Sequence, residues 1–145
     1  ILIKIKIMKS SITFLFGLFL CVYIYAENPV GKWKKISEIS VYAGQTFDSH
    51  KALLSQKPCA AKIVYEINAD ATFRLNASAS GCDESYKKIQ EKLYSKTKWN
   101  VQGNKITIST LSDFSVGQTY IISYSGNKMI WKGTDGQGTI TYQKL

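Results

Sequence analysis

The chain has 145 residues, and its 19 Lys and Arg against 10 Asp and Glu give a formal charge of +9 at pH 7. Because the lysines are scattered singly, mostly on the polar phase of predicted strands, they are typical of a solvated surface rather than of a nucleic-acid-binding face. The one histidine, His50, lies in a polar loop, and no nucleophile motif, phosphate-binding glycine loop or metal-ligand motif is present. The sequence therefore predicts a protein that is not an enzyme, with no catalytic residue, metal, cofactor or nucleic-acid partner.

The first 26 residues have the composition of a secretory signal peptide. A short basic region precedes the apolar run from Ile12 to Ala26, and the small residue Ala26 marks the expected cleavage site. We interpret residues 1–7 as an over-extended gene start. Two alternatives remain open: an uncleaved membrane anchor, and lipoprotein cleavage that would leave Cys21 acylated. Cleavage after Ala26 leaves residues 27–145 as one domain and lowers the formal charge from +9 to +6, because three lysines and no acid are removed.

The first predicted strand runs from Val30 to Tyr42. Its apolar residues do not all lie on one face of the strand, because Ile36 falls on the face opposite to that of Trp33 and Ile39. A β-bulge or burial on both faces is therefore needed within this strand. Beyond it, the short apolar stretch at residues 52–54 predicts at most one helical turn.

A β-hairpin is predicted from Lys62 to Asn76. Apolar and aromatic residues alternate with polar ones on both sides of a break at residues 69–71. Cys59 and Cys82 lie just outside the two ends of the hairpin, and in an exported protein the economical interpretation is that they form a disulfide. Zinc binding is the rival interpretation, but the chain has only one histidine and no Cys-x-x-Cys pair.

A short helix is predicted after the hairpin. Tyr86, Ile89 and Leu93 fall at helical spacing, with Asp83 or Ser85 as the N-cap. We expect these three apolar residues to pack on the sheet.

From Thr97 to the end of the chain, apolar and polar residues alternate regularly. Gly-Asn pairs at residues 103–104 and 126–127 predict tight hairpin turns in which both central residues have positive φ. The whole pattern gives eight short strands in sequence order. It predicts an all-β fold, an eight-stranded antiparallel up-and-down barrel with one short helix. A barrel is favoured over a sandwich because closure removes the open edges that a sandwich must protect.

The chain resembles a known family. Four motifs carry the resemblance by their order and spacing: Gly31-Lys32-Trp33, Asp70-Ala71-Thr72-Phe73, Lys105 to Ile108, and Gly138 to Tyr142. Together they are similar to the lipocalin-like domain of small secreted or lipid-anchored bacterial proteins, over residues 30–145.

The resemblance implies a lipocalin-like, calycin-type β-barrel. It also implies a basic residue over the first tryptophan, for which Lys144 is the only candidate in the last strand. Ala71 departs from the family pattern, which has glycine there. A turn that needs positive φ would be strained at Ala71 unless Asp70 or Asn68 takes that position.

The chain is rich in apolar and aromatic side chains. Those that alternate along one face of the predicted strands are the candidate ligand-binding residues of the barrel interior. They are Trp33, Ile63, Tyr65, Ile67, Phe73, Leu75, Trp99, Tyr120, Ile122, Trp131 and Tyr142. They either line a cavity for a small hydrophobic molecule or fill a solid core. The first interpretation predicts an exported, monomeric carrier, periplasmic or secreted. The alternative is an interaction or inhibitor module, whose loops at residues 43–57 and 78–96 contact an envelope or extracellular protein.

Overall fold

The computed structural model of the protein describes residues 27–145, so the predicted signal peptide and Cys21 lie outside the described residues. This part of the chain contains nine strands and two α-helices. The strands are β1 (Gly31–Tyr42), β2 (Gln45–Asp48), β3 (Val64–Ile67), β4 (Phe73–Asn76), β5 (Lys98–Gln102), β6 (Lys105–Ser109), β7 (Gln118–Ser125), β8 (Lys128–Gly133) and β9 (Thr139–Lys144). The helices are α1 (Ser49–Gln56) and α2 (Glu84–Leu93). None of the helices in residues 27–145 is long and apolar enough to cross a membrane.

Eight of the strands form a nearly closed antiparallel barrel in the order β4-β3-β1-β9-β8-β7-β6-β5. Neighbours in this order are also neighbours in sequence, with two exceptions: β3 pairs with β1 because β2 lies off the barrel, and β1 pairs with β9, so the first and last strands of the described residues lie side by side. The predicted all-β, up-and-down barrel is therefore confirmed. The ninth strand, β2, pairs only with the end of β1 and extends that strand as a hairpin beyond the barrel.

The barrel closes at a seam between β4 and β5 that holds only one bridge, Thr72 to Lys98. Two backbone hydrogen bonds cross it, from Phe73 N to Thr97 O at 3.0 Å and from Trp99 N to Ala71 O at 2.9 Å. Polar side chains complete the closure. Arg74 Nη1 donates to the carbonyl oxygens of Phe73, Tyr94 and Thr97 at 2.8, 3.0 and 2.7 Å, and Trp99 Nε1 donates to Asn68 O at 3.0 Å.

The backbone φ angles in the hairpin turns differ in part from those expected from the sequence. In both Gly-Asn turns only the glycine has positive φ, +61° at Gly103 and +59° at Gly126. The expectation of two positive φ values was wrong, because glycine in the first central position gives a type II′ turn, which asks for positive φ only there. The alanine at the hairpin tip was judged correctly as a strained position. Neither Asp70 nor Asn68 replaces it, and Ala71 itself adopts φ +66°.

Both helices begin at an aspartate whose side chain caps the first turn. Helix α1 has eight residues rather than the single predicted turn, because the Asp48 side chain accepts a hydrogen bond from Lys51 N and caps it. It packs against β1. Asp83 caps α2 as predicted, by accepting from Tyr86 N. Its packing face was predicted wrongly, since Tyr86 packs on the core while Ile89 and Leu93 are exposed.

The two cysteines flanking the β3–β4 hairpin form the predicted disulfide. Cys59 and Cys82 are bonded, with their Cα atoms 5.3 Å apart. The bond ties the segment before β3 to the segment before α2, so it fixes the helix over the β4 end of the barrel.

Candidate functional site

The residues predicted to face the barrel interior all lie in the hydrophobic core or pack against it. Tyr65 and Trp99 are partly buried at its edge. The others are at most 8% exposed: Trp33, Ile63, Ile67, Phe73, Leu75, Tyr120, Ile122, Trp131 and Tyr142. These side chains thus belong to the packed interior of the barrel or to its edge. A role of these residues in ligand binding stays a prediction.

Aromatic rings occupy the centre of the barrel. The ring of Trp131, fully buried, lies 5.1 Å from that of Tyr142, 5.4 Å from Tyr120 and 5.9 Å from Phe73, measured between centroids. Tilted and edge-to-face pairs of this kind each contribute about 0.5–1.5 kcal/mol beyond the area they bury. Trp131 Nε1 is buried and has no hydrogen-bond partner among residues 27–145. Packed aromatic rings thus fill the middle of the barrel, and the indole N–H of Trp131 is a free hydrogen-bond donor within the described residues.

A pocket of about 360 Å³ lies at one rim of the barrel. Its walls come from the C-terminal end of α2, from β6 and the turn after it, and from the short 3₁₀ turn before β7: Leu93, Tyr94, Thr97, Ile108, Ser109, Thr110, Leu111, Val116, Gly117 and Gln118. None of these side chains is charged. Leu93, Leu111 and Val116 are exposed apolar residues at the mouth, so the pocket offers an apolar entrance with hydroxyl and amide groups inside.

Glycine shapes one wall of this pocket. A Cβ at Gly117 would lie 2.6 Å from Ile108 O, so only glycine lets the turn before β7 approach β6 this closely. Strand alternation did not predict this pocket, because most of its walls come from turns and a helix end, and only Ile108, Ser109 and Gln118 belong to strands. Leu111 and Val116 could have indicated the pocket, because they are large apolar residues within a polar segment that the sequence pattern assigns to no strand or helix.

Two side chains connect the pocket with the aromatic layer. Tyr94 lines the pocket, and its ring lies edge-on to Phe73 with the centroids 5.2 Å apart. Gln118 also lines the pocket, and its Oε1 accepts a hydrogen bond from Tyr120 Oη at 3.1 Å. A molecule in the pocket would therefore touch groups that contact the barrel centre directly.

A lysine and a glutamate of β1 face the same interior. Lys35 lies opposite Tyr142, and Glu38 lies opposite Ile140, with a register shift between Lys35 and Ser37. Tyr142 and Ile140 are both buried. The shift is the predicted bulge, and it brings two residues three apart in sequence onto the inward face. Lys35 Nζ donates to Glu38 Oε2 at 2.7 Å and lies 5.2 Å from the centroid of the Tyr65 ring.

Burial and the neighbouring polar groups together determine which groups around this pair are charged. Burial alone would lower the pKa of Lys35, but Tyr65 and the hydrogen-bonded Glu38 outweigh it and raise the pKa, with Tyr94 contributing more weakly. Burial raises the pKa of Tyr65 and, further, that of Tyr142. At neutral pH the interior of this end of the barrel therefore presents one ammonium group beside uncharged phenols.

His50 lies near the same charge pair, on the helix that packs against β1. It lies in the first turn of α1 and is buried, and its Nε2 has no hydrogen-bond partner in the part of the chain that the structure describes. Burial lowers its pKa, and the neighbouring charge of Lys35 lowers it further. His50 is thus a neutral imidazole that packs against the Lys35 segment at neutral pH.

A second pocket, of about 270 Å³, lies where the chain enters the barrel. It is lined by Glu27, Pro29, Val101, Gly103, Asn104, Ile122 and Tyr124. Of the predicted interior residues it includes only Ile122. Burial and the nearby Glu27 raise the pKa of Tyr124 to about 12, so this pocket holds a neutral phenol beside a carboxylate. Within residues 27–145 no three His, Cys, Asp or Glu side chains are grouped so that they could hold a metal ion.

The eight-stranded antiparallel barrel with a pocket at its rim places the molecule among the up-and-down β-barrel proteins. A model of the lipocalin-like domain matches residues 30–131. The chain therefore belongs to the lipocalin-like domain family, whose members are generally non-catalytic proteins that bind small hydrophobic ligands. Comparisons with curated proteins and with solved structures gave no match.

Proposed function

We propose that the protein is an exported, monomeric carrier that binds one small, largely apolar molecule without chemical change. The observation that carries the proposal is the rim pocket of about 360 Å³, which falls within the range of small-molecule sites, roughly 300–1,000 Å³. Its walls are uncharged, and its mouth exposes three large apolar side chains. The Cys59–Cys82 disulfide supports export, since such bonds persist in oxidising compartments.

The buried aromatic layer has a supporting role in this proposal. Because Trp131, Tyr120 and Phe73 fill the barrel centre, the ligand rests against them rather than passing among them. Tyr94 and Gln118 are the contacts that the ligand and this layer share. Their hydroxyl and amide groups orient a ligand whose remaining surface is buried by Ile108 and by the apolar mouth.

A fluorescence titration tests the proposal. Parinaric acid, whose emission rises in an apolar environment, is added to the purified protein and to two matched variants. Val116→Asp places a charge at the pocket mouth, whereas Val41→Asp makes the same change at a similarly exposed site on the β1–β2 hairpin, the two valines being 62% and 71% exposed.

We expect saturable binding by the wild type and by Val41→Asp, and binding weakened by about tenfold, or ~1.4 kcal/mol, in Val116→Asp. A wild-type protein without a saturable signal would contradict the carrier function. If the two variants bound parinaric acid with equal affinity, the binding site would not be the rim pocket.

A second function is favoured by one observation, the exposed apolar hairpin formed by β1 and β2. Val41, Tyr42 and Phe47 are 71%, 85% and 55% exposed, and β2 pairs with no barrel strand other than β1. Such a projecting apolar tip is suited to contact with another protein. Under this alternative an envelope or extracellular protein is captured by the wild type but not by a Tyr42→Ser, Phe47→Ser variant. Capture that survives the double substitution would reject it.

A further inference from the structure

We infer that the ligand is an amphiphile with a single anionic head group, and that Lys35 binds this head group inside the barrel. The inference rests on the proposed carrier function and assigns the chemistry of its ligand. It begins from an anomaly, namely a lysine side chain only 13% exposed in the interior of a barrel otherwise lined by apolar and aromatic residues. Lysine and glutamate are almost never fully buried unless they are paired.

The β1 bulge is what brings this charge pair inside. In an unbroken strand Lys35 and Glu38 would face opposite sides, because side chains alternate. The register shift between Lys35 and Ser37 adds one residue, so Lys35 lies opposite Tyr142 and Glu38 opposite Ile140, both of them inward residues. Bulges are enriched next to functional sites, where they re-aim a side chain.

Stability does not explain the pair. Removing two charges from water costs several kcal/mol per ion, and pairing them often recovers no more than that cost. Apolar side chains of similar size would fill the same space between Tyr65 and Tyr142 at least as well. A buried ammonium group that is retained among the aromatic side chains of the barrel interior is better explained by an anionic ligand that it binds.

The two members of the pair differ in how easily they can move. The Lys35 side chain is 13% exposed, whereas that of Glu38 is 36% exposed. The Glu38 carboxylate forms no side-chain hydrogen bond among the described residues other than the one from Lys35 Nζ at 2.7 Å. Glu38 can therefore turn towards solvent while Lys35 stays inside, and the carboxylate of a ligand can take the position that the Glu38 carboxylate holds in the free protein.

Tyr94 provides continuity between the rim pocket and Lys35. It lines the pocket and packs edge-on against Phe73. Tyr65 lies between Phe73 and Lys35, with its ring 6.2 Å from that of Phe73 and 5.2 Å from Lys35 Nζ. An amphiphile with its chain in the pocket would reach Lys35 with its head group along the edge of the aromatic layer, and this requires Tyr94, which lies just beyond α2, and the neighbouring Tyr65 to move aside.

A matched pair of probes separates this inference from the carrier function. Parinaric acid and its methyl ester have the same chain and differ only in the charge of the head group. Both are titrated into the wild type, Lys35→Met, Glu38→Gln and the control Lys34→Met, which removes the same charge from the neighbouring residue on the other strand face. Lys35→Arg keeps the charge, and thermal unfolding of every variant establishes that it is folded.

We expect the wild type to bind the acid about tenfold or more tightly than the ester, as a charged hydrogen bond implies. Lys35→Met loses this preference but still binds the ester, Lys35→Arg retains it, and Lys34→Met behaves as the wild type does. Glu38→Gln binds the acid more tightly, because the internal competitor for Lys35 is gone.

Equal affinity of the wild type for acid and ester would overturn the inference and leave the carrier function standing. A preference that persists in Lys35→Met, or that is lost equally in Lys34→Met, would also overturn it. If neither probe binds any variant, the carrier function fails, and the inference fails with it.

Discussion

Lys144 holds its ammonium group over the indole ring of Trp33, with Nζ 5.6 Å from the ring centroid, where the last strand of the barrel pairs with the first. Trp33 Nε1 donates to Pro29 O at 2.8 Å. The tryptophan is thus fixed on one side by the segment that enters the barrel and on the other by the strand that completes it. Lys144 is the basic residue that the family resemblance implied.

Substitution Lys144→Met removes the cation and keeps most of the apolar stem. Since a cation near an aromatic ring at an exposed site contributes about 0.5–1 kcal/mol, we expect the free energy of unfolding to fall by that amount in urea denaturation. Lys128→Met is the control, because Lys128 is an exposed lysine of β8 without an aromatic partner among the described contacts. Equal losses in both variants would show that the Trp33 contact contributes nothing.

The tip of the β3–β4 hairpin gives a second prediction. Ala71 is held at φ +66° by hydrogen bonds on both sides, from its own N to Asn68 O at 3.1 Å and from Trp99 N to its carbonyl at 2.9 Å. Left-handed φ costs a non-glycine residue roughly 1–2 kcal/mol. Ala71→Gly should therefore raise the free energy of unfolding by about 1 kcal/mol, offset in part by the greater freedom of glycine in the unfolded chain.

The matched control for this change is Ala79→Gly. Ala79 is exposed in a loop and does not have positive φ, so glycine there relieves no strain and should lower the free energy of unfolding by a few tenths of a kcal/mol to about 1. Chemical denaturation of both variants measures the difference. A destabilised Ala71→Gly would show that the hairpin tip stores no strain.

The barrel could be predicted from the sequence because apolar and polar residues alternate with a period of two in most of its strands, β1 being interrupted by a bulge. Tyr65, Phe73 and Trp131 were placed inside by alternation alone, and packing against opposite strands leaves such residues no other position. The helix α1 was underestimated because its three central apolar residues give no clear helical pattern. Its formation depends on the Asp48 cap and on packing against β1, neither of which a periodicity search detects.

The candidate site was harder to predict, for two physical reasons. Most of the pocket walls come from a helix end and from turns, which have no hydrophobic period. Lys35 shares the inward phase of Trp33 in the sequence and could have been noticed, but Glu38 is on the opposite phase. Only the bulge brings Glu38 to the inward face, and the position of a bulge depends on the pairing of β1 with β9 rather than on local sequence.

The seam of the barrel gives a third prediction. Arg74 Nη1 donates to three carbonyl oxygens, on Phe73, Tyr94 and Thr97, where β4 and β5 share a single bridge. Arg74→Met keeps the stem but leaves these acceptors with fewer donors, so we expect a loss of about 1.5–3 kcal/mol in the free energy of unfolding. In the Arg74→Met variant, hydrogen exchange at the backbone amides of Phe73 and Trp99 should be faster than in the wild type, whereas exchange at the amides of β8 should change less.

The control for the seam is Lys98→Met. Lys98 belongs to the bridge itself and is exposed, so the change removes a charge at the same place without removing a hydrogen bond to the carbonyls. Urea denaturation and hydrogen exchange followed by mass spectrometry measure both variants. If Lys98→Met opens the seam as much as Arg74→Met does, the closure depends on charge and not on these hydrogen bonds.

The buried His50 gives the last prediction, a loss of stability in mild acid. Burial lowers its pKa in the folded protein, Lys35 adds to this effect, and Asp48 and Glu38 oppose it. The unfolded chain takes up the proton near the ordinary value of about 6.5. Below that pH the unfolded state binds more protons than the folded state, so stability is fully present above about pH 6.5 and falls as the pH decreases.

The decrease is assigned by substitution. His50 is the only histidine in the chain, and the carboxyl groups with lowered pKa, such as Asp48 and Asp113, lose their contribution mainly near and below about pH 4. Urea denaturation at about pH 7, 6 and 5 should therefore show a decline of at most about 1.4 kcal/mol per pH unit in the wild type. The decline should be largely absent in His50→Gln, which cannot titrate. Parallel curves for the two proteins would mean that His50 is protonated in the folded state as readily as in the unfolded chain.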